Sequence, residues 1–106
     1  MQTYTDLSQA LKEQNKVQIL DLSNQGLTEI PVEIFQLTSL TRLYLAYNQI
    51  EVILPEIGQL TNLTVLGLYN NQIDDIPPEI GQLTNLTVLR LGYNEIGVLS
   101  PELGHL

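Results

Sequence analysis

Side chains able to carry out catalysis are scarce in this sequence. It has no cysteine and one histidine, His105, near its end, so a thiol nucleophile is excluded and acid–base chemistry near neutral pH has almost no candidate group. No serine has a histidine available to activate it apart from that terminal one. We interpret the adjacent Asp74 and Asp75 as a solvated turn, because they point in different directions and lack further oxygen ligands for a cation. The sequence therefore predicts a protein that is not an enzyme and needs no metal or cofactor.

The surface charge argues against two classes of partner. Twelve acidic residues and four basic ones give a formal net charge of −8. Such a chain repels phosphate backbones and anionic lipid headgroups, so we expect neither nucleic acid nor a membrane to be its partner. No apolar run is long enough to cross a bilayer, and no signal peptide is visible at the N-terminus.

The remaining side chains are positioned by a unit that repeats every twenty-three residues. Each unit begins with alternating apolar residues, as at Leu43 and Leu45, which predicts a short strand with one buried face. Later in the unit, a proline and a glutamate precede apolar residues such as Ile57 and Leu60, which predicts a short 3₁₀ or α-helical segment. One unit cannot bury its own apolar face, so stacked units must share a core beside a parallel sheet. The strand motifs are 17–22 (VQILDL), 40–45 (LTRLYL), 63–68 (LTVLGL) and 86–91 (LTVLRL).

Residues 17–106 resemble bacterial leucine-rich repeats of the 23-residue type, with the pattern LxxLxLxxNxIxxLPxxIGxLxx present in four copies in phase. The resemblance implies an α/β fold, namely a right-handed solenoid shaped as a short horseshoe with a parallel sheet on its concave side. It also implies the binding of another protein. The expected repeats are 17–39, 40–62, 63–85 and 86–106.

Residues 1–16 are expected to form an N-terminal capping helix over the first repeat, as in the bacterial family. Asp6 and Gln9 have the spacing of a capping box, and Leu7, Ala10 and Leu11 form an apolar stripe. The compartment stays open. A chain without cysteine fits the cytoplasm, but it also fits the mature part of a secreted bacterial protein.

Side-chain amides form a column after the strands. The sharp turn there leaves backbone N–H and C=O groups that need partners. An amide both donates and accepts hydrogen bonds, so we interpret the column as a structural ladder rather than a ligand site. Its members are Gln25, Asn48, Asn71 and Asn94.

The residues between the strand leucines, beginning with Gln18, Ile19 and Asp21 in the first repeat, are expected to point outwards from the concave sheet. They are rich in aromatic and basic side chains. They include four of the five tyrosines and both arginines, whereas Asp21 is the one acid among them. Tyrosine and arginine are enriched in protein interfaces, so the pattern favours protein binding over the alternative that tyrosine merely suits a strand. We expect Tyr44, Tyr69 and Tyr93 to act as aromatic anchors and the arginines to pair with carboxylates on the partner. The candidate binding residues are Arg42, Tyr44, Tyr47, Val65, Tyr69, Asn70, Val88, Arg90 and Tyr93.

The last repeat has no cap in this sequence, which leaves two interpretations. Either the natural protein continues past residue 106, or two copies associate through this edge to form a homo-oligomer. A third hypothesis is that the repeats are the targeting portion of a larger signalling enzyme. The identity of the partner and the oligomeric state stay open. The candidate residues for self-association are Leu86, Leu89, Leu91, Leu99 and Leu103.

Overall fold

The computed structural model describes residues 1–97 as a series of short strands and 3₁₀ helices with one α-helix. Strand β1 and helix α1 precede the repeats, and each repeat contributes one strand, β2 to β5. After each of the first three of these strands, the chain crosses to a 3₁₀ helix. The elements are β1 (Thr3–Tyr4), α1 (Leu7–Lys12), β2 (Ile19–Asp21), β3 (Arg42–Tyr44), β4 (Val65–Gly67) and β5 (Val88–Arg90), with 3₁₀ helices at Gln14–Lys16, Val32–Gln36, Pro55–Gln59 and Pro78–Gln82.

The strands form one open parallel sheet in the order β1-β2-β3-β4-β5. From β2 onwards the register aligns equivalent positions, so that Leu20 lies beside Leu43, which lies beside Leu66, which lies beside Leu89. This in-register stacking confirms the leucine-rich-repeat solenoid that the sequence implies. It also means that residues spaced by twenty-three in sequence lie next to each other along the stack of repeats.

The core is a single cluster that runs between the sheet and the 3₁₀ helices. Leucines from the inner face of each strand meet isoleucines such as Ile34, Ile57 and Ile80, all of which are fully buried. A glutamate occupies the first turn of each of the 3₁₀ helices Val32–Gln36, Pro55–Gln59 and Pro78–Gln82. Its negative charge there interacts favourably with the positive end of the helix dipole. These three glutamates therefore lie on the 3₁₀ helices and not on the sheet.

The N-terminal segment is more than the expected helix, because β1 adds a fifth strand to the sheet. Thr3 lies beside Ile19 in parallel register, and Ile19 is only 8 % exposed. Ile19 was expected to face solvent, and that expectation is wrong: in the structure it is buried and lies beside the additional strand β1. Two residues are too few for a strand pattern to be read from the sequence.

Helix α1 has Asp6 as its N-cap, and the Asp6 carboxylate accepts a hydrogen bond from the Ser8 backbone N–H at 2.9 Å. The Gln9 side chain donates to Glu13 instead of returning to the N-cap, so the reciprocal capping box is not formed. Ala10 is fully buried in the core cluster. Among residues 1–97, no helix is long and apolar enough to cross a bilayer.

Candidate protein-binding surface

Each strand of the four repeats is followed by one non-glycine residue in the left-handed region of backbone conformation. The values of φ are 59° at Asn24, 56° at Tyr47, 58° at Asn70 and 55° at Tyr93. Asparagine is one of the few non-glycine residues that adopt this conformation readily, whereas a bulky side chain is disfavoured there. Two of these four turns therefore carry a residue that the backbone does not favour.

The amide of Asn71 binds backbone groups of two successive repeats. Its Oδ1 accepts a hydrogen bond from the Ile50 N–H at 3.0 Å. Its Nδ2 donates to the carbonyl oxygens of Leu45 at 2.9 Å and Leu68 at 3.1 Å. Asn71 is only 6 % exposed, so its side chain supplies buried backbone groups with partners that water cannot provide.

The other amides of the column differ according to their place in the stack. Asn48 Oδ1 accepts from two backbone N–H groups, those of Gln25 and Leu27. Asn94 accepts from the Ile73 N–H at 3.0 Å and is less buried than Asn48. The Gln25 side chain donates to the Thr5 carbonyl at 3.0 Å, so it ties the first turn to the segment after β1.

Two further columns link neighbouring repeats, and the sequence analysis missed both. In each, a side chain donates to a backbone carbonyl of the preceding repeat at 2.9–3.2 Å. Their signal was present in the sequence as polar residues recurring at intervals of twenty-three. The donors are Thr41, Thr64 and Thr87 at the start of the strands, and Asn62 and Asn85 before them.

Three tyrosines from three repeats contact each other beside the strands. The ring centroids of Tyr47 and Tyr69 are 5.6 Å apart, and those of Tyr69 and Tyr93 are 5.2 Å apart, both in edge-on geometry. Tyr69 stands one position earlier in its repeat than the other two, where Ala46 and Gly92 stand in theirs. It is half-buried, whereas Tyr47 is 51 % and Tyr93 75 % exposed.

Glycines in the next repeat let two of the tyrosines lie close to the sheet. A Cβ atom at Gly67 would lie 3.2 Å from Cδ1 of Tyr44, and one at Gly92 would lie 3.0 Å from Cε2 of Tyr69. Any larger residue at either position would therefore push the ring away from the sheet. Sequence reasoning missed this pairing, although a glycine follows each of these two tyrosines after twenty-three residues.

Both arginines are exposed on the same side of the sheet as the tyrosines. Within residues 1–97, neither the Arg42 nor the Arg90 guanidinium forms a hydrogen bond or an ion pair. Val65 lies beside Arg42 and Val88 lies beside Val65, both half-buried, and Asn70 is exposed at its turn. We call this surface the tyrosine face; it consists of Arg42, Tyr44, Tyr47, Val65, Tyr69, Asn70, Val88, Arg90 and Tyr93.

The residues predicted for self-association lie only partly within the described chain. Leu86 is 9 % exposed, and Leu89 and Leu91 are half-buried against the core cluster. Leu99 and Leu103 lie outside the described residues, so association through this edge stays a prediction. Across the described part of the chain, no three histidine, aspartate or glutamate side chains cluster as metal ligands would.

Burial raises the pKa of Tyr69, and the neighbouring phenols of Tyr93 and Tyr47 raise it further. Burial, followed by the charge of Glu13 and a hydrogen bond with it, also raises the pKa of Tyr4. Between the ordinary tyrosine pKa of about 10 and these raised values, the folded chain binds more protons than the unfolded chain. The stability contributed by both groups is therefore complete below about pH 10 and is lost as the pH rises through the raised values.

We accordingly expect two tyrosines to ionise later than a free phenol when the folded protein is titrated by ultraviolet absorbance. Tyr69→Phe should remove one of these two late ionisations, and Tyr4→Phe should remove the other. If Tyr69→Phe instead removed an ionisation at the ordinary pKa, the burial of the Tyr69 ring would be contradicted.

Family profiles match most of the chain. One described as a leucine rich repeat matches residues 15–60, and one described as leucine rich repeats in two copies matches residues 61–101. Together with the stacked parallel sheet, these matches show that the chain belongs to the leucine-rich-repeat family. Domains of this family generally mediate protein–protein interaction and are generally recognition modules without enzymatic activity.

Several solved structures resemble the chain over most of its length. A leucine-rich-repeat protein of Leptospira interrogans is 35 % identical with a TM-score of 0.70, and 98 % of this chain matches 32 % of that protein. Internalin C2 of Listeria monocytogenes is 31 % identical with a TM-score of 0.76, and 92 % of this chain matches 41 % of it. The ectodomain of the Arabidopsis thaliana receptor kinase GASSHO1/SCHENGEN3, solved in complex with Casparian strip integrity factor 2, is 33 % identical with a TM-score of 0.77. There, 85 % of this chain matches 11 % of the ectodomain chain. The chain thus spans less than half the length of each of these relatives, and the comparison with curated proteins gave no match.

Proposed function

We propose that this chain is a recognition module that binds a segment of another protein on the tyrosine face. The observation that carries the proposal is the presence of Tyr47 and Tyr93 at left-handed turn positions. Asn24 and Asn70 occupy the equivalent positions at lower backbone cost. Neither folding nor burial explains the tyrosines, because both rings are more than half exposed. Strained residues that stability does not require are typical of functional sites.

Packing holds the aromatic part of this face in place before any partner arrives. Tyr69 touches both exposed rings, and its own ring lies against Gly92 of the following repeat. Side chains that are ordered in the free protein lose less conformational entropy on binding. The cluster is therefore suited to act as an anchor for a partner rather than as a mobile patch.

The unpaired arginines add specificity for carboxylates. Arg42 and Arg90 belong to a chain of net charge −8 and still find no acidic partner within its described residues. An exposed guanidinium can form two parallel hydrogen bonds with a carboxylate of a bound protein. The acidic surface elsewhere disfavours nucleic acid and anionic membranes as alternative partners.

The size of the face determines what kind of ligand fits. The three strands that carry the tyrosine face, β3, β4 and β5, are spaced by about 4.8 Å and together span about 10 Å. The area of the face is therefore smaller than the roughly 800 Å² per partner of a standard interface. We therefore propose a short extended segment rather than a folded domain as the ligand, bound with modest affinity. Further repeats, as in the longer relatives, would enlarge the surface.

The double variant Tyr47→Asn/Tyr93→Asn tests the proposal. Peptides selected from a random displayed library against the wild-type chain should bind the variant about thirtyfold or more weakly, because central tyrosines contribute roughly 2 kcal/mol or more. Asparagine at each position relieves about 1 kcal/mol of left-handed backbone strain. This gain offsets the loss of each ring contact with Tyr69, which contributes about 0.5–1.5 kcal/mol. We therefore expect the free energy of unfolding to change little. Fluorescence anisotropy and urea denaturation measure the two quantities.

The matched control is Val32→Asn/Val52→Asn, which replaces two other exposed apolar side chains, 61 % and 59 % exposed, away from the tyrosine face. It should bind the selected peptides as the wild type does. Selected peptides that bind Tyr47→Asn/Tyr93→Asn undiminished would show that the tyrosine face is not the binding surface.

A further inference from the structure

The two exposed tyrosines have a spacing that selects one backbone conformation in a ligand. Tyr47 and Tyr93 occupy the same position in repeats that are forty-six residues apart in sequence. The strands β3, β4 and β5 are parallel and in register, so equivalent positions two strands apart are separated by about 9.6 Å. The half-buried Tyr69 ring lies between them.

The cluster therefore forms a shallow trough with aromatic sides. Its middle ring is more buried than the two flanking rings, Tyr47 and Tyr93. The rings meet edge-on at interplanar angles of 63° and 79°, so they present faces and edges in alternation rather than one flat stack. A segment lying along the row of repeats, across the strands, would contact all three rings.

Of the regular conformations, polyproline II matches this spacing. Every third residue of polyproline II lies on the same edge, with a repeat of about 9.3 Å. In an extended strand the residues on one face recur every 6.8 Å or so, and two turns of α-helix advance about 10.8 Å. Prolines three residues apart would therefore contact Tyr47 and Tyr93 together, with the residues between them over Tyr69.

The hydrogen-bonding chemistry of the face fits the same ligand. Polyproline II has no internal hydrogen bonds, and proline has no N–H, so such a segment presents mainly carbonyl acceptors. The face supplies donors, because the guanidinium groups of Arg42 and Arg90 donate only and the tyrosine hydroxyls can donate. Among residues 1–97, Asp21 is the one acid between the strand leucines, and its Oδ1 accepts a hydrogen bond from the Ser23 N–H at 3.0 Å.

We propose that the ligand of the tyrosine face is a proline-rich segment in the polyproline II conformation, with prolines three residues apart over Tyr47 and Tyr93. This inference rests on the proposed function. It adds the class of partner and the direction in which the segment lies, along the stack of repeats. Aromatic-lined grooves are a general means of binding such segments, because polyproline II loses little entropy on binding.

Labelled synthetic peptides of equal length test the inference by fluorescence anisotropy. The first has prolines at every third position, the second has the same residues with that period scrambled, and a third peptide is acidic and lacks proline. We expect the first to bind the wild-type chain at least about tenfold more tightly than the other two. Tyr47→Asn and Tyr93→Asn should each abolish that preference, because each removes one of the two contacts. Val32→Asn/Val52→Asn should retain it.

The outcomes distinguish failure of the inference from failure of the proposed function. Equal binding of the periodic and scrambled peptides, tighter binding of the acidic peptide, or no binding of any of them overturns the polyproline inference. The displayed random library then decides the broader proposal. Peptides that need Tyr47 and Tyr93 but lack the proline period would leave protein binding at this face intact. A library that yields no such peptides would overturn both. Circular dichroism of each variant should show that it is folded, because asparagines occupy the equivalent turns of other repeats.

Discussion

Asn71→Ala should lower the free energy of unfolding by about 3 kcal/mol. Among residues 1–97, the Ile50 N–H has no partner other than Asn71 Oδ1, and an unsatisfied buried donor costs about 1–3 kcal/mol. The carbonyls of Leu45 and Leu68 keep one amide each, from Asn48 and Asn94, but both lose a hydrogen bond. Urea denaturation followed by circular dichroism measures the change.

Asn62→Ala is the matched control for this experiment. Asn62 makes a single exposed hydrogen bond, to the Thr38 carbonyl at 2.9 Å, so we expect a loss below about 1 kcal/mol. Equal effects of the two substitutions would mean that the Asn71 column does not support the turns. A larger effect of Asn62→Ala would mean that the column of Asn62 and Asn85 supports the turns instead.

Ala10→Asp should destabilise the chain by about 3 kcal/mol or more, because it introduces a carboxylate at a fully buried site with no cation to pair with it. Ala10 lies on the side of α1 that packs into the core cluster, next to the half-buried Leu7 and Leu11. The substitution therefore tests whether residues 1–16 act as the cap proposed for the first repeat. The free energy of unfolding is again the quantity to measure.

Ser8→Asp is the matched control, because it introduces the same side chain at an exposed position of the same helix. An acid in the first turn of a helix is neutral or slightly favourable, so this variant should be as stable as the wild type. If Ala10→Asp were as stable as Ser8→Asp, α1 would not be packed on the repeats in solution. The cap would then have to be β1 alone.

Much of the tyrosine face could be predicted from residue spacing. The alternation in 40–45 indicated that Arg42 and Tyr44 face away from the core, and the structure has them on the solvent side of β3. The left-handed turns carried a signal too, since asparagine recurs at two of the four positions. The contacts among tyrosines had no such signal, because Tyr69 stands one position out of register with Tyr47 and Tyr93.

The N-terminal segment shows where pattern-based reasoning stops. An apolar stripe over Leu7, Ala10 and Leu11 was enough to predict α1, because helical periodicity is a local property. The pairing of Thr3 with Ile19 is not local, and a strand of two residues carries no period. As a result, Ile19 was expected on the exposed side and is buried.

The sequence by itself determined the solenoid, its repeat length and the side of the sheet on which the tyrosines and arginines lie. A fixed interval of twenty-three residues forces equivalent leucines into one core and equivalent polar residues into columns, whatever the details of packing. Only the tertiary structure decided which tyrosines touch, which glycines lie beneath them and that both arginines stay unpaired within the described chain. Those features depend on side-chain contacts between repeats, and such contacts exist only once the strands have stacked.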